Sequence, residues 1–180
     1  MKGIFYGIGI GPGDPEHITL KAVRMMKEVD VIAAPGTDVK ETLAYRIAVQ
    51  AVPEIEQKEM LPIDMPMTMD KEMLLKAHKN GAETIEKVLA EGKSVGFITL
   101  GDTTVYSTFS YLEKIVKNHG FETVYISGIT SFCAAAASLG IPLTEWQEPL
   151  HVIPAVHQLD DKLALDGSYV LMKSGRQMPK

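Results

Sequence analysis

A chain of 180 residues, 46% hydrophobic and 23% charged, has room for one domain or for one domain and part of another, with the ordinary balance of a globular protein. Its net charge of −5 disfavours a general nucleic-acid binder, which is usually basic. The single cysteine, Cys133, excludes an internal disulfide framework and fits a reducing compartment, and no apolar run reaches membrane-spanning length.

Residues 3–10 read as a buried strand. The apolar start is too short, and too soon broken by Gly3, for a signal peptide, so a cytoplasmic protein opening on a strand is expected. The strand runs into Gly7-Ile8-Gly9-Ile10-Gly11-Pro12-Gly13-Asp14-Pro15. Asp14 suits a helix N-cap, Pro15 the first helical position, and Glu16 the positive end of the dipole. One helix is expected from there, carrying Ile18, Ala22, Met25, Met26 and Val29 at helical spacing. On it His17 and Lys21 fall one turn apart, as a solvated face or as a pair for an anionic substrate.

Asp30 to Ala34 is a second short strand, ended by Pro35-Gly36, and a helix over about 40–51 follows. Residues 53–69 are rich in Pro and Met and read as loop with room for one short strand. Met60, Met65, Met67, Met69 and Met73 cluster there, as packing residues or as an adaptable wall for a flat ligand. Residues 70–91 form a long amphipathic helix closed by Gly92. Val95 to Leu100 is a strand that enters Gly101-Asp102-Thr103-Thr104-Val105-Tyr106-Ser107-Thr108, with a helix expected over 105–118. Thr123 to Ile126 is the next strand. It leads to Gly128-Ile129-Thr130-Ser131-Phe132-Cys133 and a small-residue helix over 131–139.

This alternation argues an open, mainly parallel, doubly wound α/β sheet. Residues 1–142 are expected to form that domain, 143–149 a linker, and 150–180 the start of a second α/β domain with strands at Leu150 to Pro154 and Ser168 to Lys173. About thirty residues cannot bury an independent core. With the chain stopping just after a strand, the second domain is expected to be truncated.

Three polar, glycine-marked loops at strand ends are what an open α/β sheet offers a ligand. Glycines at 7, 9, 11 and 13 do not fit the G-x-G-x-x-G register, and no Walker lysine is present. The first loop therefore suits a ligand without phosphates, and a cationic one. Asp102 can accept from an ammonium or from ribose hydroxyls, or it can cap the helix that follows. Thr130 and Ser131 carry the same two options, a helix cap or a grip on a ligand carboxylate. Cys133 reads as a buried small residue, and Ala134 to Ala137 as a close-packing face. The five histidines, His17, His78, His119, His151 and His157, lack metal-ligand spacing, so no metal site is expected. His78 and His119 read as solvated, and His151 and His157 as flanking an interdomain cleft.

The three motifs G-I-G-I-G-P-G-D-P, G-D-T-T-V-Y-S-T-F-S-Y-L and G-I-T-S-F-C-A-A-A-A-S-L-G-I-P-L, in that order, resemble the tetrapyrrole (corrin/porphyrin) methylases over essentially the whole chain. Within that family the Y-S-T-F continuation, S-F after G-I-T, and Y-V-L-M-K-S-G-R at 169–176 are most similar to the branch that methylates C20 of precorrin-2 or cobalt-factor II. The resemblance implies two α/β domains, S-adenosylmethionine (SAM) in the cleft between them, a tetrapyrrole as methyl acceptor, S-adenosylhomocysteine (SAH) as product, and a homodimer. Ile10 and Pro12 match the first SAM loop, and Gly101, Asp102 and Val105 the second. Thr130 and Ser131 match the pair holding the methionine end, and Met172 an apolar position near the adenine.

The pattern departs at Thr103, where the family has proline; this changes loop stiffness. For a substrate rich in carboxylates, His17, Lys21, Arg46 and His151 are the candidate contacts. No catalytic acid or base is assigned, since Ala33-Ala34-Pro35-Gly36 holds no carboxylate where some relatives have one. Any cobalt would belong to the substrate. Methylation at a different ring position and a SAM-binding module without turnover remain as alternatives. A dinucleotide oxidoreductase fits poorly, because the glycine register is wrong.

Overall fold

The computed structural model describes residues 2–68, 70–154 and 164–173. Met69, His157 and the end of the chain from 174, including its match to the family at 174–176, lie outside the described residues. The chain forms two units, Met1–Ser131 and Phe132–Lys180.

Short apolar runs buried on both faces are the mark of parallel strands covered by helices. Three such runs form the interior of the first unit's sheet, β1 (Ile4–Gly9), β2 (Val31–Pro35) and β4 (Val95–Thr99), and the less buried β3 (Glu59–Ile63) and β5 (Glu122–Ile126) form its edges. All their pairings are parallel, in the order β3-β2-β4-β1-β5. The connecting helices are α1 (Leu20–Glu28), α2 (Leu43–Ala51), α3 (Lys71–Ala90) and α4 (Phe109–Asn118). α5 (Ser131–Leu139) follows β5.

Strand alternation sorts the core into two. Ile8, Ile32, Ala34, Ile98 and Ile126 pack with Met25 and Met26 of α1 and Ile47 and Ala48 of α2. Phe5, Val31, Ala33, Val95 and Phe97 pack with Ile85 and Leu89 of α3 and Phe109 and Leu112 of α4. Phe109 is the hub of the second core, with its ring centroid 4.9 Å from Phe5 and 4.8 Å from Tyr125. A Cβ on Gly7 would lie 2.5 Å from the Phe109 ring, so the strand must carry glycine there. The chain leaves β1 toward β2 over one face and leaves β4 toward β5 over the other. The order therefore reverses between β1 and β4, and a crevice opens at their carboxyl ends.

Several expected elements differ. The first helix is two pieces. Asp14 accepts from Glu16 N and caps only a 3-10 turn, Pro15–His17. Ile18 then runs extended, and Thr19 caps α1 by accepting from Ala22 N. His17 and Lys21 are thus not on one helix. α4 starts at Phe109 rather than 105, because Tyr106 takes a left-handed φ of 48° and Ser107 Oγ accepts from Phe109 N. α2 starts at Leu43, where Thr42 accepts from Tyr45 N. His78 is not simply solvated. It is half-buried and stacks on Tyr111 at 4.7 Å, and burial lowers its pKa. His119 pairs with Glu86 at 2.8 Å.

In the second unit β6 (Leu150–Pro154) and β7 (Ser168–Met172) pair in parallel. Cys133 is exposed, not buried. The buried positions of α5 are Ala134 and Ala136, and Cys133 is turned away from them. Ala135 and Ala137 are exposed as well, so only half of the alanine run packs.

Candidate functional site

Three loops leave the carboxyl ends of the adjacent strands β4, β1 and β5, and their backbones touch. Gly101 N donates to Gly11 O at 2.8 Å and Gly11 N to Gly101 O at 3.3 Å. Both glycines are left-handed, at φ 70° and 74°, a conformation that favours glycine. The third loop lies against the other two. A Cβ on Gly128 would sit 2.2 Å from Gly101 O and 2.8 Å from Gly9 C.

Side chains complete the junction. Ile10 is fully buried in the first core, and its N–H donates to Thr99 O, so any ligand meets its backbone rather than its side chain. Pro12 and Val105 are half-buried on the first and second loops. Asp102 is 8% exposed. Its Oδ1 accepts from Thr104 N at 2.7 Å and from the Thr104 hydroxyl, and its Oδ2 accepts from Gly128 N at 2.8 Å. Asp102 does not cap α4, which starts seven residues later at Phe109. Thr103 is fully buried, and its hydroxyl donates to Ile126 O at 3.2 Å. A proline there would lack that bond. Ser131 opens α5. Thr130 Oγ1 is buried without a hydrogen-bond partner, an uncommon state for a buried hydroxyl.

The residues considered for substrate are spread out. Lys21 and Arg46 fall in the first turns of α1 and α2, at the same end of the sheet as the loops. Arg46 is ion-paired to Glu41. His17 packs on Gly11 of the first loop, with its Nδ1 buried and without a partner. His151 belongs to the second unit, where its ring stacks on Tyr169 at 4.9 Å and Nε2 lies 3.1 Å from Asp166 O. Met172 ends β7 in that unit. At the ends of β2 and β4 lies an apolar recess of about 310 Å3, lined by Pro35, Leu43, Ala44, Ile98 and Leu100. Leu43 and Leu100 remain exposed at its rim. Among the described residues, no cluster of three or more His, Cys, Asp or Glu could hold a metal ion.

Sequence reasoning missed Glu113, a buried carboxylate on α4. It accepts from the Thr123 hydroxyl at 2.7 Å and the Tyr125 hydroxyl at 3.3 Å, and Lys117 lies 3.6 Å away. Burial first, and the Glu113 charge second, push the Tyr125 phenol above its ordinary range. The signal was present. Glu113 shares the inward stripe of Phe109, Leu112 and Val116.

The junction offers backbone groups, the hydroxyls of Thr130 and Ser131 on the third loop, and no Lys or Arg within 7–13, 101–106 or 128–131. That donor set fits a ligand without phosphates, and the Thr130 hydroxyl has hydrogen-bonding capacity that no protein group uses. The fold and the junction thus define a doubly wound α/β protein with three glycine-marked loops at its strand-order switch point, the place where open α/β sheets bind ligands. The chain belongs to the tetrapyrrole (corrin/porphyrin) methylases, whose family model matches residues 5–180. It is 40% identical to a probable cobalt-precorrin-2 C(20)-methyltransferase of Methanocaldococcus jannaschii, over 94% of this chain and 71% of that protein. It is 33% identical to the cobalt-precorrin-2 C(20)-methyltransferase of Salmonella typhimurium, over 96% of this chain and 73% of that protein. The solved structure of a cobalt precorrin-4 methyltransferase superposes with a TM-score of 0.70 at 23% identity, over 95% of this chain and 69% of that one; this likeness supports the fold.

Proposed function

We propose that this chain transfers a methyl group from SAM to C20 of precorrin-2 or its cobalt-bearing counterpart, cobalt-factor II, in cobalamin biosynthesis. The observation that carries the reading is the contact of three cation-free loops at Gly11, Gly101 and Gly128, the third of which also carries the unpartnered Thr130 hydroxyl. The names of the two relatives support the ring position.

SAM, when bound, supplies an electrophilic methyl on a sulfonium. The backbone around Ile10, Pro12, Gly101 and Val105 holds the nucleoside side. Thr130 and Ser131 hold the amino-acid end, where the Thr130 hydroxyl gains the partner it lacks. The substrate's electron-rich meso carbon needs no protein nucleophile, so the loops act by orientation and by excluding water. Such positioning supplies roughly 7–11 kcal/mol. The recess beside Leu43 and Leu100 gives the flat macrocycle an apolar floor, and Lys21 and Arg46 meet its peripheral carboxylates. His17 and His151 enter the proposal as further hydrogen-bonding contacts for those carboxylates, and Met172, on the resemblance, as an adenine-side contact.

The same reading makes 1–142 the N-terminal methylase domain, 143–149 a linker and assigns 150–180 to a second α/β domain. It also makes the protein a cytoplasmic homodimer. Among the described residues no helix is long and apolar enough to cross a membrane. Incubation with methyl-13C SAM and precorrin-2, with and without cobalt, followed by carbon NMR of the product, tests the reading. Label at C20 is expected. Label at another ring carbon moves the assignment within the family, and SAM binding without label makes the chain a binding module.

A further inference from the structure

We infer that Asp102 is a positioning residue and not a ligand-contacting one: with Thr103 it latches the loop after β4 onto the loop after β5 and so sets the gap between them. The inference rests on the proposed SAM site. Direct contact with a ligand ammonium or ribose is the natural expectation for a carboxylate at a strand end. Here the carboxylate is already engaged. One oxygen takes the amide and hydroxyl of Thr104, and the other takes the amide of Gly128, 26 residues away. Carboxylate-to-amide bonds are stronger than neutral ones. A ligand that drew Asp102 away would strand a Gly128 N–H in a space too tight even for a Cβ.

Thr103 completes the grip. Its hydroxyl holds Ile126 O, the last carbonyl of β5, two residues before Gly128. The pair 102–103 thus holds the third loop by an acceptor and a donor at its root. Thr130, with the unpartnered hydroxyl, lies two residues beyond that hold. The departure from proline at 103 therefore supplies a tether.

Three variants and three probes test this. The variants are Asp102→Asn, which keeps the size but loses an acceptor, Thr103→Val, and Thr103→Ser, which restores a hydroxyl. The probes are SAH, 5′-methylthioadenosine, which lacks the amino-acid end, and the 2′,3′-dideoxy analogue of SAH, which lacks the ribose hydroxyls. Asp102→Asn is expected to weaken all three by the same factor, about tenfold or more. Thr103→Val should weaken them in the same uniform way, and Thr103→Ser should restore affinity. All variants should stay folded at the assay temperature by circular dichroism. Amide exchange at Gly128 should speed up in ligand-free Asp102→Asn.

An Asp102→Asn loss that vanishes with either truncated probe would overturn the latch in favour of direct contact. So would unchanged Gly128 exchange, or a Thr103→Val that binds like the parent. If Asp102→Asn does not fold, Thr103→Val and its serine rescue decide. If the parent chain binds none of the probes, the SAM reading fails, and Gly128 exchange alone decides whether the latch exists.

Discussion

Replacing Gly128 by alanine adds one methyl group at the point where the three loops meet. The new Cβ would stand 2.2 Å from Gly101 O, 2.8 Å from Gly9 C and 3.0 Å from Gly9 Cα. A relaxed carbon–oxygen contact is about 3.3 Å, so the loops must part by about 1 Å. Every atom in the clash is backbone, and no rotamer relieves it. Gly101 is itself held to Gly11 in both directions, so its retreat weakens those bonds too. Overpacking costs about 1–3 kcal/mol, and one lost backbone bond adds about 1 kcal/mol. Gly128 is not left-handed, so the penalty is steric rather than conformational. A fall of about 2–4 kcal/mol leaves a domain of ordinary stability folded, while a displacement of about 1 Å can lower turnover about a hundredfold. Urea unfolding reads the first effect, methyl transfer from SAM reads the second, and calorimetric titration with SAH reads the accompanying change in affinity. Gly13→Ala is the control, since a Cβ there meets nothing within 4 Å and is expected to stay within about 0.5 kcal/mol of the parent. Gly128→Ala matching Gly13→Ala in urea unfolding, with SAH affinity equal to the parent's, would refute the convergence of the loops.

Phe109→Ala empties the hub of the second core and is expected to cost about 3–5 kcal/mol in urea unfolding; a loss under about 1 kcal/mol would contradict its packing on Phe5 and Tyr125. Burial lowers the pKa of His78 below its ordinary 6.5, so the unfolded chain takes up the proton first. Stability should therefore fall as pH drops below about 6.5, and His78→Gln should flatten that part of the pH–stability curve. Lys21→Glu is expected to weaken tetrapyrrole binding and leave SAH binding intact by fluorescence and calorimetric titration. Equal loss of both would mean a disturbed fold and remove Lys21 from the substrate surface.

The strands were legible because buried parallel strands read as apolar runs, and the loops because glycine marks where the backbone must turn or touch. Helix starts were less legible where two signals compete. Asp14-Pro15-Glu16 carries a full N-cap signature, yet Thr19 caps the real helix a few residues on. In the second loop, the left-handed Tyr106 and the bond from Phe109 N to Ser107 Oγ have no distinctive spacing, and α4 starts late. The role of Asp102 was out of reach for another reason. Its partner Gly128 is 26 residues away, and local pattern does not encode which amide a carboxylate meets across a sheet end. Glu113 was within reach, since its helical spacing places it among the inward residues of α4. Cys133 was misplaced because α5 is apolar nearly all round, and periodicity does not select a buried face.

If the junction of the three loops holds SAM, titration of 15N-labelled protein with SAH moves the amide signals of those loops. Saturable shifts are expected at Gly11 and Gly13, at Gly101 to Tyr106 and at Gly128 to Ser131, with affinity reduced by Thr130→Val. Absence of saturable shifts, or shifts confined to residues away from these loops, would contradict that placement.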